Sequence, residues 1–306
     1  MESYPLRLKN FAIRAMGRIA PSTLRFLAHR NPLDRGRWPA LRALTADAKC
    51  RDWLASLENP TRTRRGFRIF TIPGDLTSDW IKLHGQHETG TERFVLEHLE
   101  PGSTFIDVGA NIGYFSLLAA ASGNAGVVAF EPQRAVADLL RQSAVLNGVA
   151  ASVRVEHLAL SDRPAVMRMT SCPGNTGHSQ LAPAGQEGVQ PDPVSVVVLD
   201  DWLDQNPTAP ASVCKVDTEG NELGVLLGMR RLLARDGPAL VIEMTGESSA
   251  GPRSAATGIR ELLLGCGYSE VSDRYAQDGE LNCYFVRRPR QGGPPDRPAG
   301  RKAAPG

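Results

Sequence analysis

Phe105-Ile106-Asp107-Val108-Gly109-Ala110-Asn111-Ile112-Gly113, followed by Val127-Val128-Ala129-Phe130-Glu131-Pro132, is the stretch that decides the fold of this 306-residue chain. A short apolar run ends in a turn of small residues and passes into a helix-forming segment. A second apolar run then ends in an acid. In open α/β sheets, a glycine turn lets the backbone come close to a ligand, and an acid closing the next strand takes the two hydroxyls of a ribose. Glu131 lies 24 residues beyond Asp107, an interval that holds one helix and one returning strand. The pair predicts a site for a nucleoside-containing cofactor.

The glycines indicate which one. A dinucleotide site uses three glycines as G-x-G-x-x-G, so that a helix N-terminus meets the pyrophosphate. Here the turn Gly109-Ala110-Asn111-Ile112-Gly113 has one glycine fewer, and Asp107 stands two residues ahead of it. An acid there repels a pyrophosphate but suits a ligand with an ammonium and a sulfonium. S-adenosyl-L-methionine has both, together with a ribose, and is the expected cofactor. A nicotinamide dehydrogenase on the same fold is disfavoured by the missing glycine. A turn that merely closes a strand–helix unit would explain Gly109 and Gly113 alone, but not their combination with Asp107 and Glu131.

Outward from this stretch, strands and helices alternate. Thr104–Val108, Gly126–Phe130 and Val153–His157 read as strands, with helices over Ile112–Ala121 and Arg134–Leu146. After an irregular middle, Val213–Val216 and Ala239–Met244 resume the strands, with helices over Glu219–Leu233 and Gly258–Cys266. Val271 and Asn282–Val286 predict a closing hairpin that contains an antiparallel last strand. Such alternation is the signature of a parallel sheet with helices on both faces. Ala165–Thr170 and Val194–Leu199 predict strands flanking a Gly/Pro/polar loop from Ser171 to Pro193. Loops of that length are either binding elements or disordered. Upstream, Arg62–Ile72 reads as a strand or hairpin arm and Thr91–Leu99 as a helix ended by Pro101-Gly102. Residues 1–60 read as a basic helical extension, 61–287 as the main domain, and 288–306 as a disordered Pro/Gly/Arg tail.

Four motifs in this order carry a family resemblance: Phe105 to Ala120, Phe130-Glu131-Pro132, Ala159 to Asp162 and Lys215 to Gly220. They resemble the FkbM family of S-adenosylmethionine-dependent methyltransferases, over roughly Gly85 to Arg287. The resemblance implies a class I methyltransferase fold, a Rossmann-like doubly wound seven-stranded sheet with an antiparallel last strand. It further implies methyl transfer to a hydroxyl oxygen, on acceptors such as sugars or natural products.

Composition sets the bounds. Hydrophobic residues make up 42% of the chain, enough for a full core, and the formal net charge is only +2. The charge is unevenly placed: Arg7, Lys9, Arg14, Arg18, Arg25, Arg30, Arg35 and Arg37 face only Glu2 and Asp34 in the first 37 residues. With Leu6, Leu8, Phe11 and Ile13 among them, this segment fits a peripheral membrane or protein contact, or a solvated helix over the domain edge. No apolar run approaches the ~20 residues of a membrane span, and no signal peptide is legible. The five cysteines are scattered without C-x-x-C spacing, which signals neither zinc nor disulfides and points to the cytoplasm. Few aromatics accompany the basic segment, and no Asn/Asp-Pro-Pro-aromatic motif is present, so nucleic acid is not an expected partner.

Ligands of open α/β sheets bind at the carboxyl ends of the strands. Asp107 is therefore expected at the amino-acid end of the cofactor, Gly109, Asn111 and Gly113 in its turn, Glu131 on the ribose, and Ser161 or Asp162 near the adenine. Lys215, Asp217 and Glu219 alternate at the fourth strand end, where they form either an ion pair that orders the strand or a reacting face. An alcohol acceptor must lose a proton, and Asp217, then Glu243, then the loop residue His178 are the candidate bases. Three neighbouring acids also permit a metal, although no ligand spacing supports one. Transfer to nitrogen or to a carboxylate, or a catalytically silent binding module, are the alternatives. The acceptor is expected to be a small molecule.

Overall fold

Thr104–Val108 is buried at all five positions, as a central strand covered on both faces requires. Its side chains alternate. Phe105 joins one core with Val127, Ala129, Val213, Leu117 and Leu140, while Ile106 and Val108 join another with Val128, Cys214, Leu240 and Ile242. The computed structural model of the chain describes residues 52, 54–123, 125–170, 175–176, 179–182, 192–244, 255–275 and 281–288. The basic segment over 1–51, His178, most of the predicted middle loop and the tail beyond 288 lie outside the described residues.

In chain order the strands are β1 (Thr61–Arg62), β2 (Arg68–Ile69), β3 (Thr104–Val108), β4 (Gly126–Phe130), β5 (Val153–Glu156), β6 (Ala159–Leu160), β7 (Ala165–Met169), β8 (Leu181–Ala182), β9 (Val194–Val197), β10 (Ala211–Val216), β11 (Ala239–Glu243), β12 (Tyr268–Glu270) and β13 (Asn282–Arg287). The α-helices among the described residues are α1 (Leu76–His84), α2 (Thr89–His98), α3 (Tyr114–Ala121), α4 (Arg134–Leu146), α5 (Leu199–Gln205), α6 (Glu222–Leu227), α7 (Arg230–Arg235) and α8 (Ala255–Gly265). Seven strands form the main sheet in the order β12-β13-β11-β10-β3-β4-β5. β11, β10, β3, β4 and β5 run parallel, and β13 is antiparallel to both of its neighbours. The expected parallel sheet with an antiparallel last strand is therefore present. The expected hairpin arm over Arg62–Ile72 is the β1–β2 pair, and β6, β9, β7 and β8 make a separate small sheet.

Two expectations need correction. The single helix predicted over Glu219–Leu233 is two short ones, α6 and α7, broken at Gly228-Met229. Gly228 packs so close to the end of β6 that a Cβ would stand 2.3 Å from the Ser161 carbonyl oxygen. Its own carbonyl accepts the Asp200 amide, and the Asp200 carboxylate caps α7 by accepting from the amides of Arg231 and Leu232. Leu199, read as the end of a strand, instead opens α5.

Gly113 shows how tightly the first βαβ unit is packed. Its φ is +90°, and a Cβ there would lie 2.0 Å from Leu140 Cδ1 of α4. The left-handed backbone costs a substituted residue about 1–2 kcal/mol, and overpacking adds about 1–3 kcal/mol. Gly148 has a comparable φ of +69° but open space around it. In urea unfolding, Gly113→Ala is expected to lose about 2–5 kcal/mol, whereas Gly148→Ala loses only the backbone part, about 1–2 kcal/mol. Equal losses would refute the close packing of α4 on this turn.

Candidate active site

The turn after β3 is held by the strand beside it. The amides of Gly109 and Ala110 both donate to the Phe130 carbonyl, at 2.9 and 3.0 Å. Gly109 has a φ of +77°, and a Cβ would fall 1.7 Å from the Asp217 carbonyl oxygen. Since that obstacle is backbone, no side-chain adjustment relieves it. Glycine is needed here so that the ends of β3 and β10 can touch, and the contact ties the two halves of the site together. Asn111 is left-handed as well, with φ +50°, and its Oδ1 accepts the next amide, that of Ile112.

Glu131 is the hinge of this half. It is 3% exposed, and its two carboxylate oxygens accept the amides of Asn111 (2.9 Å) and Gln133 (2.8 Å). Burial pushes its carboxyl up to about 7, and the amides of Gln133 and Asn111 pull against that rise. Thr176, from the middle loop, closes over the same turn. Its amide and hydroxyl both donate to Asp75 Oδ2, its carbonyl accepts from Gln133 Nε2, and its hydroxyl lies 3.3 Å from Asn111 Oδ1. The other oxygen of Asp75 caps α1 by accepting the Ser78 amide.

The second half stands at the ends of β10 and β11. Lys215 is 3% exposed, and its Nζ donates to Asp217 Oδ2 at 2.6 Å. Register places Lys215 beside Asp107 on β3. Burial opposes the ammonium, but Asp217, Asp107 and Glu88 together keep its proton bound. Burial also acts to raise the Asp217 carboxyl; Lys215 and a hydrogen bond from Glu243 outweigh it and hold Asp217 ionised. Glu243 is pushed far up by burial and by the negative charge of Asp217, so it keeps its proton and donates it to Asp217. Asp217, Glu219 and Glu243 each bring a carboxylate oxygen within 4.8 Å of the others. Glu219 lies in a left-handed turn (φ +55°) ahead of α6 rather than in a helix.

One cavity of about 530 Å³ joins the two halves. Of the predicted residues, Gly109, Asn111, Glu131, Asp217 and Glu243 line it. Asp107 does not: it is buried beneath the turn, with Oδ2 accepting the Ser116 hydroxyl at 2.6 Å. Desolvation raises its carboxyl, and Lys215 counters that rise. Its place is under the site, balancing charge, rather than at the cavity wall. Gly113 also lies behind the wall, against α4. Ser161 and Asp162 sit at the margin. Ser161 Oγ is 3.2 Å from Asp162 Oδ1, and the cavity is lined instead by Leu158, Ala159 and Leu160 just before them.

Among the wall residues that escaped the sequence reading are His87 and Glu88, in the connection between α1 and α2. The imidazole is packed edge-on to Tyr114 (5.8 Å, 78°) and against Phe115 (5.8 Å), and its Nε2 lies 3.5 Å from Glu88 Oε1. Glu88 has a φ of +43°, and its Oε2 accepts from Asn282 Nδ2 on β13 at 2.8 Å. The available signal was a polar run, Gln86-His87-Glu88-Thr89, bracketed by Gly85 and Gly90.

The strand order, the glycine turn and the acid ending β4 make this a class I methyltransferase, an α/β enzyme built to hold a cofactor at its strand ends. The model of the Methyltransferase FkbM domain matches residues 107–270, and the chain belongs to that family. It is 34% identical over 174 residues to the 31-O-demethyl-FK506 methyltransferase FkbM of Streptomyces tacrolimicus, covering 46% of this chain and 66% of that protein. It is 29% identical over 231 residues to the AMB antimetabolite synthetase AmbE of Pseudomonas aeruginosa, covering 62% of this chain but 11% of that protein. The chain thus spans about a tenth and about two thirds of these two relatives. Among solved structures, it is similar to a methyltransferase FkbM from Methylobacillus flagellatus KT, with 18% identity and a TM-score of 0.42, over 83% of this chain and 61% of that one. The O-methyltransferase TomG from Streptomyces achromogenes, solved with SAM, gives 16% identity and a TM-score of 0.40, over 65% and 80%.

Lys215 is the element of this site most open to a stability test. Removing one member of a buried ion pair leaves the other charge uncompensated, at a cost of about 3–5 kcal/mol. Lys215→Met should lower the unfolding free energy by that amount, and adding Asp217→Asn should recover part of it. A single variant as stable as the wild type would show that the pair does not hold the strand end.

Proposed function

We propose that this methyltransferase uses S-adenosyl-L-methionine and transfers the methyl group to a hydroxyl of a small molecule, such as a sugar or a natural product. The observation that carries this reading is the continuity of one cavity from Glu131 to the Asp217–Glu243 pair. The residues present suit the cofactor. Glu131 has each oxygen fixed by one backbone amide, which leaves lone pairs for the two hydroxyls of a ribose. Phe130, Leu158 and Leu160 offer an apolar wall for an adenine, and Glu88 and Asp217 offer negative charge for an ammonium and a sulfonium. When bound, the cofactor supplies a methyl group already activated on sulfur.

What remains for the protein is positioning and the management of one proton. Holding two reactants in line is worth up to about 7–11 kcal/mol in favourable cases. Asp217, held ionised by Lys215, accepts a hydrogen bond from an acceptor hydroxyl and orients it. Glu243 keeps its own proton and fixes Asp217 from the other side. An amine acceptor is the second reading, because the carboxylates of Glu88, Asp217 and Glu219 gather at this end of the cavity. That same charge opposes a carboxylate acceptor.

Calorimetry tests the cofactor half. S-adenosylhomocysteine should bind, NAD should not, and Glu131→Ala should weaken binding about tenfold or more, as expected when a charge-assisted bond worth about 1.5–3 kcal/mol is lost. A folded sample that ignores S-adenosylhomocysteine would sink the reading. The pH dependence follows from Glu131, whose carboxyl lies near 7. Ribose hydroxyls donate to the ionised form, so binding releases a proton below that value and strengthens as pH rises towards it. With 5′-methylthioadenosine, which has no amino-acid end, affinity should rise at most about tenfold per unit from about pH 5.5 to about pH 7 and then level off. Glu131→Gln should flatten the curve.

A further inference from the structure

Two backbone amides fix the carboxylate of Glu131, and the residues that supply them share a third neighbour. Asn111 and Gln133 donate to its two oxygens. Thr176 touches both of these residues: its carbonyl accepts from Gln133 Nε2 at 3.0 Å, and its hydroxyl lies 3.3 Å from Asn111 Oδ1. Thr176 is held in turn by Asp75, whose Oδ2 accepts its amide at 2.7 Å and its hydroxyl at 3.0 Å. Asp75 is 1% exposed and lies behind the cavity wall, whereas Asn175, Thr176 and Ser179 line it. From this arrangement we infer that Asp75 is a positioning residue for the cofactor, acting through Thr176 on the wall around Glu131, a role that rests on the S-adenosyl-L-methionine reading above.

The stretch that carries Thr176 is secured at two places. On the far side it is tied to the small sheet. The Thr170 amide donates to the Gln180 carbonyl, the Gln180 amide donates to Thr170 Oγ1, and Leu181 pairs with Met169. On the cavity side, among the described residues, Thr176 reaches the main domain through Asp75, Gln133 and Asn111. Asp75 takes two donors on one carboxylate oxygen, and hydrogen bonds to a carboxylate are stronger than those between neutral groups. The work of Asp75 is divided between its two oxygens. Oδ1 accepts the Ser78 amide and caps α1, while Oδ2 serves Thr176. That division makes the hold on Thr176 separable from the helix cap.

The effect belongs to the adenosyl end of the cofactor. Glu131 offers its remaining lone pairs to the two ribose hydroxyls, and the amides of Asn111 and Gln133 set the direction in which those lone pairs point. Releasing Thr176 removes one contact from each of these two residues. Glu131 is then less well aligned before the ligand arrives, and the cost of ordering it falls on binding. Asp75 and Thr176 make and break no bond in methyl transfer. They act on how tightly the adenosyl group is held, across the 101 positions that separate them in the chain.

Calorimetry of the full chain with S-adenosylhomocysteine and with 5′-methylthioadenosine tests this role without an acceptor. Asp75→Asn keeps an oxygen for the Ser78 amide, but its Nδ2 cannot accept from Thr176. Asp75→Ser also caps a helix and is too short to reach both partners. Each variant should keep its helical circular dichroism and bind either ligand about tenfold more weakly. Thr176→Val leaves Asp75 and the cap untouched and should cost about threefold, so it carries the test if the Asp75 variants fail to fold. Thr176→Ser keeps both donors and should bind within about twofold of the wild type. A double-mutant cycle separates positioning from a general loosening of the fold. In a Glu131→Ala background, Asp75→Asn should cost less than about twofold, because the contact it acts on is already gone. Equal losses in the two backgrounds would overturn the assignment. So would wild-type affinity in the Asp75 and Thr176→Val variants, or a loss confined to S-adenosylhomocysteine. A folded wild type that binds neither ligand sinks the cofactor reading, and the role of Asp75 with it.

Discussion

The ammonium of Lys215 sits where a doubly wound sheet normally keeps hydrocarbon. It occupies an inward position of β10, one residue from Cys214 and two from Val213, both fully buried. A lone charge there would cost several kcal/mol, so the surrounding structure has to answer it. Asp107 answers from the neighbouring strand and Asp217 from the strand's own end. Glu243 then meets Asp217 and gives up its freedom to ionise. One buried positive charge thus meets Asp107 on the neighbouring strand and holds Asp217 ionised, and the charge on Asp217 in turn helps to raise Glu243. The β10–β11 end of the cavity is built around it.

The Glu131 end of the cavity depends on a different constraint, the approach of two backbones. Gly109 touches the Asp217 carbonyl so closely that no side chain fits between them. The same turn draws its hydrogen bonds from Phe130 and presents the Asn111 amide to Glu131. The position of Glu131 is therefore set by the turn, and the turn by β10. Since the charge network also ends at Asp217, both halves converge on one residue. That convergence explains why one cavity runs through the site without a partition.

Some of this was legible in the sequence because it is local. A run of apolar residues ending in small ones, an acid one βα unit later, and the alternation of strand and helix are written in consecutive positions. The sheet and the place of Glu131 at its carboxyl edge followed from them. The helix predicted over Glu219–Leu233 was misread for the converse reason. Gly228 breaks it because of the Ser161 carbonyl, which is 67 positions away in the chain. Asp107 was expected at the amino-acid end of the cofactor, directly or through water; it lies behind the cavity wall, bonded to Ser116 and beside Lys215, a setting that spacing does not show.

The sequence by itself determined the order of elements, the face each strand buries and the residue types at the strand ends, since these depend on periodicity and turn chemistry. Tertiary structure alone decided which acid is ionised, which keeps its proton, and that His87 and Glu88 from an unrelated connection join the wall. Protonation and proximity are properties of a charge's surroundings, and those surroundings are assembled from segments far apart in the chain. Asn282 orients Glu88 across 194 positions, a relationship that no local pattern encodes.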